Sequence, residues 1–276
     1  MSGALAYSPA QIVWKCGRSS RPTIEHDSGS ADTKLNEPYV WQSHLGSEIG
    51  FDAGYHEVSR SDILSFISHP PGTILDIGCA GGATGRLLKQ KFPGTRVIGI
   101  EPNLSAAAQA RQFLDLVVSK GVEEIDSELD LGGCEIGVVL LMDVLEHLVD
   151  PWRTLLGLHK LISAETRVLA SIPNVRNLAT LHELAGGRWQ YRPAGVLDIT
   201  HLRFFTLTEI GELFAQTGYR VLSADPLTHP EAMAGIVTAH EPGRIETSNI
   251  SVRYQSIDEL EEYFAIQYVI DARKCI

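Results

Sequence analysis

The chain has 276 residues, 44% of them hydrophobic and 21% charged, the balance of an ordinary globular protein large enough to bury a sizeable core. Its formal net charge of −11 lacks the basic footprint of a non-specific nucleic-acid binder, so no nucleic-acid partner is expected. The four cysteines, at 16, 79, 134 and 275, form no C-x-x-C pair, and no apolar run reaches the roughly 20 residues of a membrane span. With no visible secretory signal, a reducing cytoplasmic setting is the expectation.

In chain order, residues 1–36 are Ser-, Gly-, Pro- and Thr-rich without a sustained period, and read as a flexible N-terminal extension ahead of a domain spanning 37–276. Val58, Ile63, Leu64 and Ile67 fall near helical spacing, predicting a helix over 57–67 that Pro70-Pro71-Gly72 stops. Ile74–Ile77 reads as a strand, Gly82–Lys91 as a helix and Arg96–Ile100 as a second strand. Asn103 is placed to cap a helix running to about Leu114. The apolar run Glu135–Leu141 follows, then a helix opened by Asp150-Pro151 and a strand over Arg167–Ile172. Thr206-Leu-Thr-Glu209 has the form of a capping box, its helix ending at Gly218, and Tyr219–Ala224 and Phe264–Ile270 are late strands. Residues 226–256 show no period and read as an insertion or long loop. Alternating strands and helices, with strands apolar throughout, indicate an α/β fold: a mostly parallel sheet with helices on both faces.

The chemistry concentrates in Thr73-Ile-Leu-Asp-Ile-Gly-Cys-Ala-Gly-Gly-Ala-Thr-Gly85 and in Glu101, 23 residues after Gly78. A glycine-rich turn between strand and helix lets a ligand approach the backbone, and an acid after the second strand suits ribose hydroxyls. The glycines at 78, 81, 82 and 85 do not form G-x-G-x-x-G, because Ala80 stands where the second glycine belongs. Asp76 would repel a pyrophosphate but attracts an ammonium, which favours S-adenosylmethionine over a dinucleotide.

Leu75-Asp-Ile-Gly-Cys-Ala-Gly-Gly82 resembles motif I of the class I S-adenosylmethionine-dependent methyltransferases, with Ala80 replacing its middle glycine. Leu141-Met-Asp-Val-Leu-Glu-His-Leu-Val-Asp-Pro151 resembles the D-V-L-E-H-L-x-D-P signature of the same superfamily, and Ser171-Ile-Pro-Asn174 the segment after its fifth strand. Asp198-Ile-Thr-His-Leu-Arg-Phe-Phe-Thr206 resembles a block of a subgroup found among polysaccharide and glycoconjugate biosynthesis proteins. The resemblance implies a Rossmann-like, doubly wound, seven-stranded sheet. It also implies an enzyme that turns S-adenosylmethionine into S-adenosylhomocysteine while methylating a sugar, glycan precursor or related small molecule. Phenolic or quinone-type and natural-product acceptors are the nearest rivals, and a non-catalytic cofactor-binding subunit is a reading of another class. Oligomeric state stays open, a homodimer included.

By that resemblance Asp76, Gly78, Cys79, Ala80 and Gly81 surround the methionine part of the cofactor. Glu101 holds its ribose, Pro102 and Asn103 flank the adenine, Val122 meets the adenine edge, and Met142 and Asp143 line the sulfonium side. Methyl transfer to a hydroxyl needs a general base, for which His147 and His201 are the candidates. Asn174, Arg188, Tyr191 and Arg203 are candidate substrate contacts, with Arg203 alternatively paired to Asp198. The stretch from His182 to Arg192 mixes aromatic and cationic side chains as a sugar- or ring-stacking surface would. Glu146 contacts substrate or caps its loop, Phe204 and Phe205 suit the core, and Cys79 suits a small apolar filler. The spacing of Asp143, Glu146, His147 and Asp150 matches no compact metal motif, so no metal is expected.

Overall fold

The computed structural model describes residues 59–125, 131–228 and 235–275. The expected extension at 1–36 and the start of the helix expected at 57–67 lie outside them. What the structure describes of that helix is a single 3₁₀ turn, Ser61–Ser65, closed by the Phe66 N–H on the Ile63 carbonyl.

Seven strands form the main sheet: β1 (Thr73–Ile77), β2 (Arg96–Ile100), β3 (Leu116–Val118), β4 (Val138–Met142), β5 (Arg167–Pro173), β6 (Tyr219–Thr228) and β10 (Ala265–Lys274). Their spatial order is β3-β2-β1-β4-β5-β10-β6. β1 pairs in parallel with β2 and β4, β4 with β5 and β2 with β3, while β10 runs antiparallel to both β5 and β6. This is the mostly parallel seven-stranded sheet expected. The order reverses between β1 and β4, and at such a switch point the loops leaving the two strands part to leave a crevice.

Period-two alternation sends each strand's side chains into two cores. Leu75, Ile77, Ile98, Ile100, Val139 and Leu141 face one side. There they meet α3 (Pro151–Leu158) through Leu155 and Leu158, and α5 (Leu207–Gln216) through Ile210, Leu213 and Phe214. Ile74, Val97, Val138 and Leu140 face the other side, against α1 (Ala83–Lys91) through Leu88 and α2 (Leu104–Ala110) through Ala107 and Ala110. Burial on both faces is why the strands are apolar without interruption.

Helix starts follow the capping residues. Asn103 accepts from the Ser105 and Ala106 N–H groups, Asp150 from Arg153 with Pro151 in the first turn, and Thr206 from Glu209. α2 ends at Ala110 rather than near Leu114, because Phe113 and Leu114 turn back onto the Ala110 carbonyl to feed β3.

Residues 226–256, expected as an insertion or long loop, carry strands of their own. β6 continues to Thr228, and beyond it β7 (Val237–Glu241), β8 (Arg244–Thr247) and β9 (Ser251–Arg253) form an antiparallel sheet in the order β7-β8-β9. These strands are too short, and too mixed with His, Glu and Thr, to show a period. The readable signal is Pro242-Gly243, whose glycine takes φ +80° in the β7–β8 turn. Helix α4 (Leu178–Ala185), which carries His182, was likewise not legible as an element. Leu178 of α4, Ile245 of β8, Val252 of β9 and Tyr263 of α6 (Ile257–Phe264) share a third apolar cluster. α6 passes directly into β10.

Candidate active site

The loop leaving β1 is drawn over the end of β2. Both the Gly78 and Cys79 N–H groups donate to the Ile100 carbonyl, at 2.8 and 3.1 Å. Gly78 takes φ +70°, and a Cβ there would stand 2.8 Å from Val144 Cγ2, so only glycine fits. Ala80 also takes a left-handed conformation, φ 48°, which an L side chain adopts at some cost. Glu101, buried at the end of β2, holds it there: Oε2 accepts from the Ala80 N–H at 3.0 Å, and Oε1 accepts from the Asn103 N–H at 2.8 Å. Cys79 is buried against Gly99, and burial, reinforced by Asp76, pushes its thiol pKa up, as befits a filler rather than a nucleophile.

A cavity of about 360 Å³ opens at the switch point. Asp76, Gly78, Cys79 and Ala80 line it from β1, Met142 and Asp143 from β4, and Glu146, His147 and His201 from the two later motifs. Asp76 is 3% exposed, and its Oδ2 has no hydrogen-bond partner. Burial, with Glu101 nearby, raises its pKa to about 7.

Arg60, not singled out in the sequence because it falls within the stretch read as a helix ahead of the motifs, is the one arginine or lysine among the described lining residues. Its Nε and Nη2 bond Asp62 at 3.0 and 2.7 Å; Nη1 bonds Ser171 Oγ at 2.7 Å and also pairs with Asp143. Asp143 takes φ 55°, and Ser171 holds that turn by donating to its Oδ1 and accepting from its N–H.

The opposite wall is an acid–base cluster. The imidazoles of His147 and His201 meet edge to face at 4.8 Å. His147 Nδ1 lies 3.1 Å from Thr200 Oγ, which donates to Asp198 Oδ1 at 2.6 Å. His201 Nδ1 lies 3.0 Å from the Val196 carbonyl, so that nitrogen carries a proton, while Nε2 lies 4.0 Å from Glu146 Oε1. Glu146 is 1% exposed with both oxygens unpartnered among the described residues, and burial together with Asp143 raises its pKa well above the usual range. Burial, and then His201, lowers the pKa of His147. Glu146, His147 and His201 each offer one donor atom within 4.8 Å of the others, a grouping that the sequence spacing did not show because His201 joins it only through the fold.

Other expected residues stand elsewhere. Gly81, Glu101, Pro102 and Asn103 are not among the cavity's lining residues, and Val122 lines a separate cleft beside α3. Asn174 is buried facing α6: its Nδ2 donates to the Glu262 and Ala265 carbonyls and its Oδ1 accepts from the Arg176 N–H. Arg203 binds the Val149 and Leu202 carbonyls, not Asp198. Tyr191 is exposed and Arg188 lies outside the lining. Phe205 is in the core, and Phe204 packs against Trp189 at 5.2 Å. Ala194, Gly195 and Val196, with Ile266 and Gln267 of β10, complete the wall.

The methyltransferase-domain family matches residues 55–224, well over half of the chain, and the chain belongs to that family. It is therefore an S-adenosylmethionine-dependent methyltransferase. The ubiquinone biosynthesis O-methyltransferase of Pseudomonas paraeruginosa (strain DSM 24068 / PA7) is 26% identical over 182 residues, 60% of this chain and 74% of its own. The trans-aconitate 2-methyltransferase of Acidovorax sp. (strain JS42) is 35% identical over 60 residues, 21% of this chain and 23% of its own. A solved SAM-dependent methyltransferase from Archaeoglobus fulgidus superposes with a TM-score of 0.54 at 16% identity, over 84% of this chain and 99% of that one, a likeness of fold. No helix among the described residues is long and apolar enough to cross a membrane.

Proposed function

We propose that this enzyme O-methylates a small hydroxyl-bearing molecule, with His147 as the general base. The observation that carries this reading is the imidazole of His147 on the cavity wall, its Nδ1 engaged by Thr200 and its Nε2 without a partner among the described residues.

The cavity's residues fit the cofactor. The unpartnered Asp76 Oδ2 suits the methionine ammonium. Four of the five N–H bonds of Arg60 are engaged by Asp62, Ser171 and Asp143, and the fifth, without a partner among the described residues, suits the carboxylate. Glu101 does not itself line the cavity but braces its loop through Ala80 and, by the motif resemblance, would hold the ribose hydroxyls, while Met142 and Asp143 would flank the sulfonium. When bound, S-adenosylmethionine supplies a methyl carbon on a positively charged sulfur, open to displacement by a nucleophile. The protein's tasks are to align a hydroxyl with that carbon, exclude water and take the proton. A histidine with a lowered pKa is neutral at pH 7 and ready to do so.

The acceptor class proposed is a sugar or glycan precursor, on the resemblance of the Asp198–Thr206 block. A phenolic quinone precursor is the second reading, favoured by the ubiquinone biosynthesis relatives. Incubation with S-adenosylmethionine and panels of nucleotide sugars and of catechols, followed by S-adenosylhomocysteine release, tests both. Turnover on the first panel alone supports the sugar reading, and turnover on catechols alone replaces it. Tight S-adenosylhomocysteine binding without turnover on either panel, or in a metabolite extract, overturns O-methylation in favour of a non-catalytic subunit.

A further inference from the structure

We infer that Thr200 and Asp198 are positioning residues that hold His147 in its Nδ1–H tautomer, with Nε2 bare toward the acceptor. This rests on His147 being the base, and it adds the two groups that make it one.

The number of hydrogens available decides the tautomer. Asp198 is 4% exposed and lies within the Asp198–Thr206 block. Its Oδ1 accepts twice from Thr200, from the N–H at 2.8 Å and from the hydroxyl at 2.6 Å. A threonine hydroxyl has one hydrogen. Once it goes to the carboxylate, Thr200 Oγ faces His147 Nδ1, at 3.1 Å, only as an acceptor. The proton must then sit on Nδ1, and the lone pair on Nε2. A free imidazole in water favours the opposite arrangement, so the relay selects the reactive form.

His201 does not share this arrangement. Its Nδ1 is anchored on a main-chain carbonyl, which cannot relay charge to an acid, and its Nε2 points at Glu146 inside the protein. Of the two histidines, only His147 connects through a hydroxyl to a buried carboxylate. In the step itself, the proton of the acceptor hydroxyl moves to His147 Nε2 and the O–H electron pair stays on oxygen. That pair forms the new O–CH₃ bond as the C–S pair leaves with sulfur. The resulting imidazolium keeps its Nδ1–H on Thr200, whose own hydrogen stays on Asp198, so the positive charge faces a carboxylate two bonds away in the relay. The proton passes to solvent once product has left.

The test reads the tautomer directly and needs no acceptor. Long-range ¹H–¹⁵N correlation of the ¹⁵N-labelled full chain distinguishes the two tautomers, and the His147 signals are those lost in His147→Gln. The wild type should show Nδ1–H. Thr200→Val should shift His147 mainly to Nε2–H, Thr200→Ser should retain Nδ1–H, and Asp198→Asn should give a mixture. Calorimetry with S-adenosylhomocysteine serves as the folding control, with affinities expected within about twofold of wild type. A wild-type Nε2–H tautomer, or a tautomer unchanged in a folded Thr200→Val, overturns the relay. If Thr200→Val does not fold, the wild-type and Thr200→Ser spectra decide. The base reading fails separately, if His147→Gln keeps methyl transfer whatever the tautomer.

Discussion

The Ala80 N–H donates to Glu101 Oε2 at 3.0 Å, which ties a left-handed residue in the β1 loop to a buried acid at the end of β2. Glu101 is therefore a strut for the loop as well as the candidate ribose ligand. Glu101→Ala should weaken S-adenosylhomocysteine binding by about tenfold or more in calorimetry, and should also lower Tm, because the Ala80 and Asn103 N–H groups lose their partner. Glu101→Gln keeps an acceptor for one of the two donors and should fall between. Unchanged affinity in both variants would remove Glu101 from the site.

Asp76 sets a pH dependence of defined sign. Its pKa is raised in the folded protein, from 3.8 to about 7, so the folded state holds the proton more tightly than the unfolded one. The stability this confers is full below about pH 3.8 and is lost as pH rises through about 7. Asp76→Asn should abolish that loss, so the variant without cofactor should melt above wild type at pH 8. Cofactor affinity should run the other way in wild type, strengthening from pH 6 to pH 8 as the carboxylate ionises to meet the ammonium. A flat affinity profile for wild type would speak against that contact.

Of the two histidines, His147 should matter more. On the acceptor that the panels identify, His147→Ala should cost about 10²–10⁴-fold in kcat with cofactor affinity kept. His201→Ala should act chiefly through KM, since its ring borders the same cavity but its Nε2 faces Glu146. Equal kcat losses in the two variants would contradict this division.

Asn174 should behave as a structural residue. Two of its three side-chain hydrogen bonds join the end of β5 to the α6–β10 junction, and the third holds the Arg176 N–H. Asn174→Ala should cost about 2–4 kcal/mol, read as a fall in Tm of about 5–10 °C, with S-adenosylhomocysteine affinity unchanged in the fraction that stays folded. A variant with normal Tm but impaired acceptor KM would return Asn174 to the substrate wall.

Much of the fold was legible because parallel strands buried on both faces are apolar throughout, as Val138–Met142 is, and because Asn103, Asp150 and Thr206 announce their helices. The cofactor loop was legible because a positive φ at Gly78 and a carboxylate after β2 have few substitutes. What resisted was everything set by long-range contact. Arg60 reaches Asp143 and Ser171 from a stretch whose helical spacing says nothing of those partners. His201 joins Glu146 and His147 only after the chain has crossed β5 and α4. Asn174 and Arg203, polar and close to motifs, had the look of ligands, yet their donors are engaged by main-chain carbonyls. Residue type shows that a side chain needs partners, but not which partners the fold supplies.

The direct passage from α6 into β10 ties the small β7–β9 sheet to the cavity wall. Arg176, just after β5, grips α6 through Glu259, Glu262 and Tyr263. Two and three residues past the helix, Ile266 and Gln267 already line the cavity. With no linker to absorb movement, a change in how the small sheet seats would be felt at Ile266 as a shift in cavity width. A substitution in the small sheet can thereby reach the cavity wall without altering any residue that lines it.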